Sequence, residues 1–195
     1  MEDALRLIRQ MGAIRPRDLA ERGIPRDYLD RLRRRGLVER IGWGLYAWSD
    51  GDASEHHSLV EAARQVPQGI ICLLSALRFH ELTTQAPHEV WIALSPKAWK
   101  PRVEYPRLRI VRFSGASLSE GIEQHRIEGA DVAVYSVVKT IADCFKYRNK
   151  IGQDVALEAL RDCWRQKRCS MDDLWQAARV CRMANVMRPY LEALG

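Results

Sequence analysis

A chain of 195 residues, 47% hydrophobic and 29% charged, suits one or two ordinary globular domains and excludes a fibrous, low-complexity or membrane-embedded protein. The longest apolar runs, such as residues 70–74, are far too short to cross a bilayer, and the acidic, amphipathic start MEDALRLIRQ is unlike a secretory leader, so a cytoplasmic protein with no membrane partner is expected. The net charge of +6 is uneven: residues 1–49 hold eleven arginines against seven carboxylates, a net of +4, and the rest of the chain shares +2.

In chain order, Leu5, Ile8 and Met11 recur at helical spacing and stop at Gly12, which predicts a first helix with one apolar stripe. Pro16 opens a second helix, with Asp18 in its first turn and Gly23 as its stop. Pro25 opens a third. At about 100° per residue, Pro25, Leu29, Leu32 and Gly36 gather on one side of it, and Asp27, Asp30, Arg31 and Arg34 on the other. Val38 to Tyr46 then reads as two short strands around Gly42-Trp43-Gly44, a turn whose glycines permit positive φ.

Two short helices around a Gly-Ile-Pro turn, followed by a hairpin, have the sequence shape of a winged helix-turn-helix, so duplex DNA is the expected partner. All the cations of this segment are arginine, whose fork binds phosphate or guanine with two hydrogen bonds. The outward side of the third helix would meet the groove. Arg15 and Arg17 at the second helix, Arg33 to Arg35 at the end of the third and Arg40 at the hairpin would hold phosphates. Asp27 would repel phosphate unless it accepts from a cytosine amino group or orients a neighbouring arginine. Tyr28 could reach a phosphate through its hydroxyl or close the core, and Trp43 could insert beside a sugar or pack on a neighbouring domain. The alternative for the whole segment is a protein-docking module with solvated arginines.

The polar stretch after Trp48 marks a boundary between a domain at 1–49 and a second at 54–195. In the second, Ser54 would cap a helix through about Gln65, and 70–82 reads as a more buried helix. Four β-rich runs follow, 89–94, 108–113, 122–127 and 132–135, with no helical crossover between them, so a mainly antiparallel sheet is expected. Helical periodicity returns from Ser136 to the end, with Ser170 to Asp173 as a capping-box start. The class is therefore α+β, a helix-flanked sheet domain behind the winged helix.

No catalytic or metal constellation emerges, and neither an enzyme nor a cofactor is expected. His56-His57 is a poor chelate because adjacent side chains diverge on a helix, and His80-Glu81 lacks a second ligand at helical spacing. Asp131, Asp143 and Glu89, the best carboxylates for a metal-dependent nuclease, form no defensible motif. Lys139 and Asp143, at i, i+4, read as a surface ion pair. The cations from Lys146 to Arg168 are interleaved with Asp154, Glu158 and Asp162, the pattern of a solvated face, with an acidic toxin surface or RNA as the functional alternative. Five cysteines without Cys-x-x-Cys spacing read as reduced thiols, mostly buried.

RPRDLAERGIPRDYLDRLRRRGLVERIGWGLY, then VPQGIICLLSALRFHELTTQAPHEVWIAL, YSVVKTIADCFKYRNKIGQDVALEALRD and the closing RPYLEAL, together resemble the AbiEi antitoxins of type IV abortive-infection toxin–antitoxin systems. The resemblance implies a winged helix that represses its own operon at inverted repeats, where a homodimer could bind. It also implies a carboxy-terminal domain linked to neutralising a nucleotidyltransferase-like toxin. It carries a DNA-binding role onto Arg17, Arg26, Arg31, Arg34 and Arg40. Trp43 departs from the polar or basic wing tip expected of many relatives. The other reading of the chain is a stand-alone winged-helix regulator whose second domain binds a ligand or partner.

Overall fold

The computed structural model describes residues 4, 7–8, 11–34, 38–48, 56–103 and 105–194, with residues 34 and 48 placed only as members of their helix and strand. The chain divides into two compact units, Met1–His57 and Ser58–Gly195.

In the first unit, residues 4, 7, 8 and 11 are helical, and Gly12 at φ +71 stops that helix with its N–H on the Ile8 carbonyl. Ala4 and Ile8 are buried while Met11 is 39% exposed, so the apolar stripe runs one turn short of the expected one; Leu5 lies outside the described residues. Strand β1 (Ala13–Ile14) leads to helix α1 (Pro16–Ala20). Gly23 at φ +71 turns the chain, and the Ile24 N–H reaches back to the Leu19 carbonyl, the closing bond of a glycine-stopped helix. Helix α2 (Asp27–Arg34) follows, then β2 (Val38–Gly42) and β3 (Leu45–Trp48), and β3 lies between β1 and β2 in an antiparallel sheet. Ala4, Ile8, Ile14, Leu19, Leu29, Leu32 and Val38 form the core, with Ile24 and Tyr46 half-buried against it. Each large side chain among them contributes roughly 1.5–3 kcal/mol by leaving water. Pro25 is exposed, because it precedes the first turn of α2 and takes no part in its buried stripe.

The second unit is built on a five-stranded sheet. Its elements are α3 (His57–Gln65), β4 (Ile70–Ile71), α4 (Leu73–Phe79), β5 (Val90–Leu94), β6 (Leu108–Arg112), α5 (Ala116–Ser119), β7 (Ile122–Ile127) and β8 (Ala130–Tyr135), then α6 (Val137–Lys146), α7 (Arg148–Ile151), α8 (Gln153–Arg165), α9 (Met171–Val180) and α10 (Ala184–Glu192). Ser54 lies outside the described residues.

The strand order is β6-β5-β4-β8-β7. Pairs β4–β5 and β7–β8 are antiparallel, whereas β4–β8 and β5–β6 are parallel. The expected mainly antiparallel sheet is thus corrected to a mixed one, for two reasons. The central strand β4 lies inside the segment that reads as helix 70–82, and the connection 95–107 has the dozen or more residues a parallel return needs without a helix. Strand β5 is buried on both faces: Val90, Ile92 and Leu94 join Leu59, Val60, Ala62 and Val66 of α3 and the segment after it, while Trp91 and Ala93 face the core shared with α4, α6, α8, α9 and α10. The molecule is a mixed assembly of helices with two sheets, and among its described residues no helix is long and apolar enough to cross a membrane.

Candidate nucleic-acid interface

The first unit's arginines fall on three elements. At the start of α1 the Asp18 carboxylate accepts the Arg15 backbone N–H at 2.7 Å, which satisfies one of the helix's open donors and fixes the bend. Arg17, 66% exposed, lies 3.7 Å from the same carboxylate, and Arg22 donates to the Asp18 carbonyl. Arg15 is half-buried.

Helix α2 buries Leu29 and Leu32 and leaves Asp27, Asp30, Arg31 and Arg33 exposed. The outward face expected from the sequence is therefore outward for these residues, and the side chain of Arg34 lies outside the described ones. Arg31 Nη2 is 3.2 Å from Asp27 Oδ2, and its guanidinium lies over the half-buried Tyr28 ring, 5.6 Å from the centroid. Asp27 thus acts on the neighbouring arginine, one of the two roles weighed for it. The pair is solvated on both sides, with 63% and 58% of the side chains exposed, so it is worth about 0.3–0.5 kcal/mol and yields easily to a phosphate or a base edge. Arg26, just before α2, is exposed and has no ion pair among the described residues.

On the hairpin, Arg40 Nε donates to the Gly42 carbonyl at 3.0 Å, across the register shift between Arg40 and Gly42. Gly44 at φ +63 completes the turn, and Trp43 is 96% exposed at its tip. Contacts join Asp27, Tyr28 and Arg31 into one group and Arg17 with Asp18 into another, while Arg40 is engaged with its own hairpin.

The second unit corrects one expectation. Lys139 and Asp143 are not a surface pair: Nζ is 2.5 Å from Oδ2, and their side chains are 3% and 0% exposed. Helix α6 is packed against α4, α8, α9 and α10, so the side that would be its polar face is covered as well. Lys139 Nζ lies 4.0 Å from the Tyr135 ring centroid and 4.9 Å from that of Phe113, and Cys181 Sγ donates to Asp143 Oδ1 at 3.2 Å. Burial pushes the Asp143 carboxyl above the ordinary range despite the ammonium beside it. Burial likewise raises the thiols of Cys72 and Cys144, and that of Cys181 to about 12, which makes them inert. All five cysteines are free, four of them buried and Cys169 half-exposed.

Gly121, at φ +71, lies against this pair; a Cβ there would come within 2.8 Å of Lys139 Cβ. A small open cleft beside it is lined by Glu120, Gly121, Ser136, Lys139, Asp173 and Gln176.

The remaining polar candidates have separate structural partners. His80 is buried with Nε2 donating to the Tyr135 carbonyl at 2.7 Å, and burial lowers its pKa. Asp131 pairs with Arg126, and Glu89 with Arg109, so these two and Asp143 share no site. Among the described residues no group of three or more His, Cys, Asp and Glu side chains could hold a metal ion. Within the basic run, Arg165 pairs with Asp162, Arg148 donates to the Phe145 carbonyl, Arg168 donates to the His80 carbonyl, and Lys150 lies over Tyr147. Sequence reasoning passed over Trp99, which is 92% exposed. Its signal was an aromatic ring between lysines and prolines, outside any periodic segment.

No curated protein matches the chain. Residues 2–47, the segment that holds α1, the glycine turn, α2 and the hairpin, match the family described as "Transcriptional regulator, AbiEi antitoxin", so this stretch carries the signature of a family of DNA-binding regulators and bears out the resemblance read from its residues.

Proposed function

We propose that the first unit is a winged helix-turn-helix that binds double-stranded operator DNA and represses its own operon from the cytoplasm. Residues 54–195 are its antitoxin and interaction domain, counteracting a nucleotidyltransferase-like toxin. The observation that carries this reading is the order α1, glycine turn, α2, hairpin, with β1 closing the hairpin's sheet and α2 turning Asp27, Asp30 and Arg31 outward. With its side chains a helix such as α2 is about 10–12 Å across, which fits the roughly 12 Å width of the major groove it would enter. Arg31, steered by Asp27 and Tyr28, reads a base edge. Arg15, Arg17, Arg26, Arg34 and Arg40 hold phosphates, and Trp43 covers a sugar at the wing tip. A homodimer would place two such helices on inverted half-sites one turn apart.

A footprint on the native upstream region at two ionic strengths tests it. Protection that weakens steeply as salt rises supports the repressor; no protection in low salt would leave the docking-module reading in its place. The cleft beside Gly121 favours a second reading, a stand-alone regulator whose second domain binds a small ligand. Rescue of growth from a neighbouring nucleotidyltransferase by the full chain selects the antitoxin, and failure of rescue selects the regulator.

A further inference from the structure

We propose that the β5–β6 connection of the second unit is a binding site for single-stranded nucleic acid, with Trp99 as the stacking platform for an unpaired base. This goes beyond the operator reading and does not rest on it. Residues 95–112 carry six cations, Lys97, Lys100, Arg102, Arg107, Arg109 and Arg112, against one acid, Glu104. Two of the six are committed to the fold: Arg109 pairs with Glu89 and lies over Trp91, 5.0 Å from its centroid, and Arg112 donates to the Ser95 carbonyl at 2.6 Å. Lys97, Lys100, Arg102 and Arg107 are exposed, and among the described residues no ion pair engages them and their side chains make no hydrogen bond.

The connection is nonetheless anchored. Gln65 donates to the Tyr105 carbonyl, the Ala98 N–H returns to the Ser95 carbonyl, and Ala98 and Val103 pack on the core under α3. Trp99 therefore stands 92% exposed on a braced loop, and little ordering is left to be done when a ligand arrives. A flat ring amid unpaired cations is the combination that holds single strands: the ring stacks on a base, the cations track the phosphates, and neither reads sequence. A paired duplex hides its base faces, so the ring selects unpaired nucleotides. One ring offers a bilayer too little apolar area for stable attachment, so a lipid surface is the poorer fit.

The test uses the full chain and a fluorescent mixed-sequence RNA of about twelve nucleotides, within the usual footprint of such sites. Anisotropy should show binding that weakens with salt. Trp99→Ala should weaken it about 5- to 150-fold, as expected for one lost base stack, whereas Trp99→Phe should largely restore it. The ring is exposed, so neither variant should lower the melting temperature, and excess upstream duplex should not displace the RNA. Equal affinity of Trp99→Ala and the parent, or full displacement by duplex, would overturn the site by placing the RNA elsewhere. So would an absence of binding in low salt, or a Trp99 requirement seen only with anionic phospholipid vesicles. Parallel titration of the upstream duplex separates the two readings: Trp99→Ala should leave it unchanged, and a parent that binds the RNA but not the duplex would count only against the repressor.

Discussion

Two ion pairs with the same spacing live opposite lives in this molecule. Asp27 and Arg31 sit four residues apart on α2 in open solvent, while Lys139 and Asp143 sit four residues apart on α6 with almost no exposure. Water makes the first pair weak, so Arg31 can trade its partner for a nucleic-acid group at little cost. The absence of water makes the second pair obligatory, because either charge alone would be stranded in an apolar interior. Helical spacing brings charges together; what covers the helix decides whether they are an accessory or a structural commitment.

The strongest way to break this contrast is Asp143→Asn, which leaves the Lys139 ammonium buried without its counter-charge. It should cost about 3–5 kcal/mol in urea unfolding, whereas the double replacement Lys139→Met with Asp143→Leu should be near-neutral or stabilising. A single variant as stable as the parent would mean that the pair is solvated in solution. Next in size is Arg31→Ala, expected to weaken cognate operator binding by about 1–3 kcal/mol if the guanidinium reads a base. Equal losses on cognate and random duplex would reduce it to a positioning contact.

Arg17→Ala and Arg40→Ala should each lower the slope of log affinity against log salt by about 1, one phosphate contact apiece. An unchanged slope removes that residue from the footprint. Smaller again is Asp27→Ala, which should change stability by no more than about 0.3–0.5 kcal/mol while relaxing the aim of Arg31.

The smallest effect concerns acid. Burial lowers the His80 pKa in the folded state, so the neutral ring is favoured there. Its contribution is fully present above the unfolded value of about 6.5 and is lost as pH falls toward the lower folded one. His80→Gln should flatten the stability profile in that window relative to the parent; parallel profiles would show that the ring titrates alike in the folded and unfolded chains.

The first unit was legible because its signals are local. Pro16, Gly23 and the Gly42-Trp43-Gly44 turn punctuate elements whose partners lie within a few dozen residues, and the alternation that buries Leu29 and Leu32 while exposing Asp27 and Arg31 needs only the period of a helix. The Asp27–Arg31 contact followed from the same spacing. In the second unit the strands from β5 to β8 and the helices α6, α8, α9 and α10 were readable, but the sheet's direction was not. It turns on Ile70–Ile71, a strand too short to show a period, whose parallel partner β8 lies some sixty residues away in sequence. The burial of Lys139 was invisible for a related reason: its own helix has a polar stripe, and only the packing of α4, α8, α9 and α10 around it closes that stripe to water. Trp99 belongs to no periodic pattern, so only its exposure in the fold draws notice.

Gly121 gives the buried pair one further property. The turn that opens β7 rests directly on the aliphatic stem of Lys139, with no side chain between them. A missing methyl group therefore lets the hairpin's entry seat against the stem of a buried lysine. Alanine at this position would press on the lysine stem and would also have to hold a left-handed backbone.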